Sequence, residues 1–200
     1  MDRTVSVTGQ GTAAAVPDSA VVRVAVVQRA DTVSEAFAGV ASGVDDLFGS
    51  AVEFTHERRI ASRDLNVWPA HDNQGERSGF EARHALEIGC ADPDAASALL
   101  EALVEAVGDR LQVESVSLEV SDQTEAVVAA RAAAYDDAVA RATHLAGLAG
   151  AHLGPVVSVT EGGAGGARPT ALRAAKADMS FAPGESTTHV ALQVTWLLAP

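Results

Sequence analysis

Ala20-Val21-Val22-Arg23-Val24-Ala25-Val26-Val27-Gln28, followed after Arg29-Ala30-Asp31 by Thr32-Val33-Ser34-Glu35, is the stretch that decides the fold class. In an extended chain Val22, Val24 and Val26 share one face while Val21, Ala25 and Val27 share the other. A strand apolar on both faces belongs inside a sheet, covered from both sides. Thr32 and Glu35 have the spacing of a capping box, in which the hydroxyl accepts an amide bond and the carboxylate reaches back. Phe37, Val40, Val44, Leu47, Phe48 and Ala51 then recur at helical spacing and predict an amphipathic helix to about residue 52.

Downstream, Ile60 to Trp68 and Phe80 to Ile88 predict two long strands. In the second, Phe80, Ala82, His84, Leu86 and Ile88 alternate with Glu81, Arg83 and Glu87. The intervening Pro69-Ala70-His71-Asp72-Asn73-Gln74-Gly75 is rich in turn formers, so the pair is expected to be a hairpin with a long tip. Asp92-Pro93 opens a second helix with Leu99, Leu100, Leu103 and Val107 on its apolar face, and Gly108 ends it. Leu111 to Val120 is the next strand; its apolar phase shifts between Val113 and Val116, which indicates a bulge. The block is β-α-β-β-α-β, the split arrangement of ferredoxin-like folds.

On the N-terminal side, Val5 and Val7 mark a strand ended by Gly9-Gln10-Gly11, and Pro17-Asp18 forms a turn. On the C-terminal side, Asp122 and Glu125 begin a long alanine-rich helix reaching about Ala149. Its narrow stripe is expected to include Val128, Tyr135, Ala138, Ala142 and Leu145, small enough in part for close approach to a neighbour. Two C-terminal strands follow, Pro155 to Thr160 and Thr188 to Leu198, the latter with Val190, Leu192, Val194, Trp196 and Leu198 on one face. Residues 161–186, with Gly162-Gly163-Ala164-Gly165-Gly166, are expected to be a long mobile loop. The fold class is thus α+β, mostly antiparallel. It is one domain over 1–200, divisible into lobes of about 17–120 and 1–16 with 121–200.

The chain has 200 residues, enough for a core without disulfide staples, and its single cysteine, Cys90, has no internal partner. Lys and Arg number 14 against 27 Asp and Glu, a formal net charge of −13. A surface of that sign repels phosphate backbones and anionic lipid, so no nucleic-acid partner is expected. No apolar run approaches the roughly 20 residues of a membrane span, so membrane insertion is not expected. Met1-Asp2-Arg3 leads straight into alternating Thr4-Val5-Ser6-Val7-Thr8, without an apolar leader segment. The expected location is cytoplasmic as the chain stands, and periplasmic or secreted if a leader has been removed.

Four segments, in order, resemble one family. Val5-Ser6-Val7-Thr8-Gly9-Gln10-Gly11 with Val16-Pro17-Asp18-Ser19-Ala20 is similar to the "V-x-V-T-G-x-G … x-P-D-x-A" opening of SIMPL-domain proteins. Leu65-Asn66-Val67-Trp68-Pro69 with Gly79-Phe80-Glu81-Ala82 looks like its "L-x-V-x-P … G-Y-x-A" hairpin. Ala138, Ala142, Leu145-Ala146 and Leu153-Gly154 match its helix-to-strand passage, and Pro183-Gly184-Glu185 its "P-G-E" ending. Arg141 stands where the family often has lysine, and Phe80 where it has tyrosine. The resemblance implies a protein without established enzymatic activity. Its bacterial members are often exported to the envelope, the family is linked by name to a signalling-kinase partner, and some members assemble into large rings.

No residue set announces chemistry. His56, His71, His84, His144, His152 and His189 show no pair at zinc-ligand spacing. G-x-S-x-G is absent, and neither glycine run carries the remainder of a phosphate loop. Cys90 is expected to be an inert buried thiol, Pro17-Asp18 a turn, His84 a hydrogen-bonded sheet histidine, and Glu101/Glu105 a solvated helix face. No catalytic, cofactor or metal residue is therefore assigned. Trp68, Phe80 and Trp196, on long apolar strands, are the candidate association surface. The expected function is a non-enzymatic scaffold that self-assembles or takes a protein partner. The alternative is a small-molecule or peptide binding module gated by residues 161–186, and a hydrolase would need a His/Asp/Glu cluster that the spacing does not display.

Overall fold

A computed structural model describes residues 3–162, 168–169 and 184–200. Its strands are β1 (Thr4–Ala15), β2 (Ser19–Ala30), β3 (Ile60–His71), β4 (Arg77–Cys90), β5 (Leu111–Glu119), β6 (His152–Glu161), β7 (Arg168–Pro169) and β8 (Ser186–Ala199). Its helices are α1 (Val33–Ala51), α2 (Pro93–Val107) and α3 (Thr124–Leu148). The fold is α+β, with antiparallel pairing throughout both sheets. Among the described residues, 18–119 make one compact unit and the remainder make a second.

In the 18–119 unit the strand order is β3-β4-β2-β5, with β2 inside. Each helix leads from one strand to a strand two places away. α1 joins β2 to β3 and α2 joins β4 to β5, so each crossover skips an antiparallel neighbour. Val22, Val24 and Val26 are sealed in a core with Leu86, Ile88, Leu99, Leu103 and Leu47, and on the other face Ala25 is sealed as well. The capping box forms: Thr32 Oγ1 accepts from Glu35 N–H at 3.2 Å, and Glu35 Oε2 accepts from Thr32 N–H at 3.2 Å. Asp92 accepts from Ala95 N–H at 2.7 Å to start α2, and Gly108, at φ +63°, follows its last turn.

Two local expectations shift, and a third, the bulge in β5, is met. Phe37 is half exposed rather than core, because α1 seats on the sheet through Ala36, Val40, Gly43, Leu47 and Ala51. The hairpin strands run further than their apolar alternation, to His71 and from Arg77. The tip closes with Asp72 Oδ1 accepting from Gln74 N–H (2.8 Å) and Glu76 N–H (3.0 Å), and with Gly75 at φ +83°. The phase change in β5 is a bulge that leaves Glu114 between the partners of Arg23 and Val24.

The second unit is built on β8, flanked by β1 and β6, with β7 alongside its start and α3 packed across one face. β1 does not stop at Gly9-Gln10-Gly11; it continues to Ala15, paired with β8 throughout. Those glycines lie beneath α3. A Cβ added at Gly9 would stand 2.1 Å from Ala134 O, and one at Gly11 would stand 2.1 Å from Ala130 O. The helix answers with alanine at every fourth position, Ala126, Ala130, Ala134, Ala138, Ala142 and Ala146, all buried. Val128, Tyr135 and Leu145, expected in that stripe, are exposed. A ridge of methyl groups over bare glycine backbone brings helix and strand closer than larger side chains permit. Val190, Leu192, Val194 and Trp196 complete this core, with Val5 and Val7 from β1 packed against it.

Candidate interaction surfaces

The outer strands offer three different surfaces. Among the described residues β3 has one strand partner, β4, and every residue from Ala61 to Pro69 is exposed. Leu65 and Val67 sit opposite His84 and Ala82, on the helix-bearing face, and remain 47% and 36% exposed. Trp68 sits opposite Glu81 on the other face and is 39% exposed. Beside it, Arg29 Nε donates to Glu81 at 2.5 Å, and Arg23 to Glu87 at 2.8 Å, so ion pairs cover much of that face. β3 is thus apolar on both sides of an open edge.

The expected trio of aromatics does not form one surface. Phe80 lies on the helix face opposite Pro69 and packs on the cluster of Ala36, Val40 and Ala82, with the Arg77 guanidinium 5.1 Å from its ring centre. Trp196 is 2% exposed, enclosed in the α3 core with its ring 6.3 Å from that of Tyr135. Alternation put it on the inner face of β8, and α3 covers that face. Of the three, Trp68 is the one available to a partner. Leu65 and Val67, which were not among the expected residues, are exposed on the same strand.

β1, by contrast, is an outer strand whose backbone is occupied by its own helix. Gln10 N–H donates to Asp137 Oδ2 at 2.8 Å, Arg141 Nη1 donates to Thr8 O at 3.3 Å, and Arg141 Nε donates to Asp137 at 3.0 Å. The Gln10 amide holds the Asp137 carboxyl below the ordinary aspartate range; burial opposes it, and the hydrogen bond and charge of Arg141 add to the lowering. The third surface, β6, carries exposed Val156, Val157 and Val159, and Arg131 from α3 reaches its end, its Nε shared between the two carboxylate oxygens of Glu161.

Three of the titratable candidates are hydrogen-bonded locally or buried. His84 Nε2 lies 2.9 Å from Ser62 Oγ across the hairpin, and His56 Nδ1 accepts from Arg58 N–H at 3.2 Å. Cys90 is buried, and burial pushes its thiol up from its ordinary value. Among the described residues, no three His, Cys, Asp or Glu side chains are grouped to hold a metal ion. An open depression of about 400 Å³ beside the end of α3, lined by Thr143, Gly147, Gly150, Ala151, His152 and Leu153, brings in one titratable group. Residues 163–167 and 170–183, most of the segment expected to be a mobile gate, lie outside the described residues.

The recurring short motifs fall where backbones approach or turn. Gly9 and Gly11 admit α3, and Gly79, at φ +119°, places its missing Cβ 2.5 Å from Ala30 O. Pro69 sits on an outer strand, and Gly184 turns the chain at φ +57° just before β8. The family model for SIMPL, described as a protein of unknown function (DUF541), matches residues 5–196. The chain belongs to the SIMPL family. Among the described residues, the glycines that resemble the family pattern thus coincide, in this SIMPL protein, with close packing and turns. No curated protein matches the chain. Among solved structures, a hydantoinase/carbamoylase family amidase from Burkholderia ambifaria is similar at 15% identity, over 52% of this chain and 28% of that chain, with a TM-score of 0.31. The SIMPL chain spans just over a quarter of that protein's length, and so slight a likeness bears on neither fold nor activity. No helix among the described residues is long and apolar enough to cross a membrane.

Proposed function

We propose that this SIMPL protein is a non-enzymatic interaction module that associates with copies of itself along β3. The observation that carries the reading is the exposure of β3 from Ala61 to Pro69 while it bears Leu65, Val67 and Trp68. The bulge at Arg63 and the missing N–H of Pro69 bound the usable edge to Asp64–Trp68. Pairing a second β3 there satisfies outward backbone groups, and each cross-strand pair adds roughly 0.2–1 kcal/mol. Completing the burial of Leu65 and Val67 contributes on the order of 1 kcal/mol for each side chain. The net charge of −13 opposes close association, so it is expected to strengthen with added salt.

Light scattering on a sizing column tests this directly. A species of two or more copies of the 20.4 kDa chain is expected, reverting toward one copy in a Leu65→Lys, Val67→Lys variant. A wild-type protein that stays a single copy at high concentration and in added salt removes the proposal. So does an oligomer that the double variant leaves unchanged.

A further inference from the structure

The bond from Leu198 N–H to Arg3 O fixes the phase of the β1–β8 ladder. Residues 3, 5, 7, 9 and 11 exchange bonds with β8, while Thr4, Ser6, Thr8, Gln10 and Thr12 turn their N–H and C=O groups outward. A strand added beside Gly9 would use two of those groups, accepting from the Gln10 N–H and donating to the Thr8 C=O. Both are already taken. The Asp137 carboxylate stands where the newcomer's carbonyl would be, and the Arg141 guanidinium stands where its amide would be. The two side chains are one helical turn apart on α3 and bonded to each other, so each holds the other in place. The contact is possible because Gly9 and Gly11 let α3 lie close enough for short side chains to reach the rim. The corresponding contact of α3 with β6, Arg131 to Glu161, joins side chains alone.

We infer that Asp137 and Arg141 form an edge guard, an intramolecular stand-in for one residue of a neighbouring strand, which keeps β1 closed to strand addition by a second copy of this chain. The role differs from a surface ion pair, whose contribution to stability is small. Its work is to remove an adhesive edge, which proteins otherwise manage with bulges, prolines or inward charges.

The test compares wild type with the Asp137→Ala, Arg141→Ala double variant by light scattering at matched concentrations. The double variant is expected to be larger than the wild-type species by at least one whole copy. Adding Gln10→Pro, which deletes the outward N–H at a position that does not bond β8, is expected to restore the wild-type mass. Because the reference is the wild-type species whatever its size, the outcome is independent of association along β3. A double variant of wild-type mass overturns the guard, and so does a gain that Gln10→Pro fails to reverse. Should the double variant not fold, amide hydrogen exchange on the wild-type protein decides. Gln10 is expected to exchange at least tenfold more slowly than Thr8 and Thr12, its neighbours on the same rim, and equal rates refute the guard.

Discussion

Replacing Gly9 by alanine adds one methyl group at the tightest contact between strand and helix. Its position is 2.1 Å from Ala134 O, 2.6 Å from Ala138 N and 2.7 Å from Ala138 Cβ. Ordinary carbon contacts begin well above 3 Å, so α3 must lift by about 1 Å or β1 must sink. Two of the three obstacles are backbone atoms of a helix seated through six alanines, so no side chain can swing aside. Overpacking of this kind costs roughly 1–3 kcal/mol, and rigid neighbours place it at or above the upper end. Alanine regains about 0.5–1 kcal/mol over glycine within a regular element. The net loss is then about 2–3 kcal/mol, or a Tm lower by about 4–12 °C for a chain of this length. The assay is thermal and denaturant unfolding followed by Trp196 fluorescence in a Trp68→Phe background, since Trp196 lies in the core that α3 covers. Gly49 supplies the control: it lies in α1, its added Cβ meets nothing within 4 Å, and alanine there is expected to stabilise by up to about 1 kcal/mol. If Gly9→Ala unfolds within about 0.5 kcal/mol of wild type, the close-packing account of the G-x-G segment is wrong.

Thr32→Ala removes the hydroxyl that accepts from Glu35 N–H and donates to its carboxylate, and is expected to cost about 1 kcal/mol, read by denaturant titration. Asp137 has a lowered folded-state pKa, so its contribution is present above the unfolded value and is lost as pH falls through the folded one. The Gln10 amide resonance should hold steady through mild acid and move only below the ordinary aspartate range; movement already near neutral pH contradicts the assignment. Cys90, with a raised thiol pKa and no exposed surface, should resist thiol reagents in the native state at neutral pH and react fully on unfolding. Rapid native-state labelling would show that the end of β4 opens readily.

At three residues that match the family pattern, Gly9, Gly11 and Gly79, an added Cβ would meet a backbone atom. Backbone contact leaves a faint mark in a single sequence, because a glycine beneath a helix and a glycine in a turn are written with the same letter. For that reason Gly9-Gln10-Gly11 reads as a strand terminator until α3 is seen lying over it. The alanine ridge hides similarly: Val128 and Leu145 look like the apolar stripe of α3, yet both are exposed, and the methyl groups of Ala130, Ala134 and Ala138 are what the space allows.

Local chemistry was enough for the Thr32 and Asp92 caps, the Gly108 terminus, the bulge in β5 and the central position of β2, because each depends on residues a few positions apart or on alternation within one strand. Alternation also separated the inner and outer faces of β8, but it could not say whether the inner face was covered, so Trp196 and Trp68 looked alike. That distinction, the close seat of α3 on β1, and the reach of Asp137 and Arg141 to a strand more than a hundred residues earlier were decided by tertiary structure alone. They depend on which surfaces meet across long loops of chain, and the spacing of residues along a sequence carries no record of that distance.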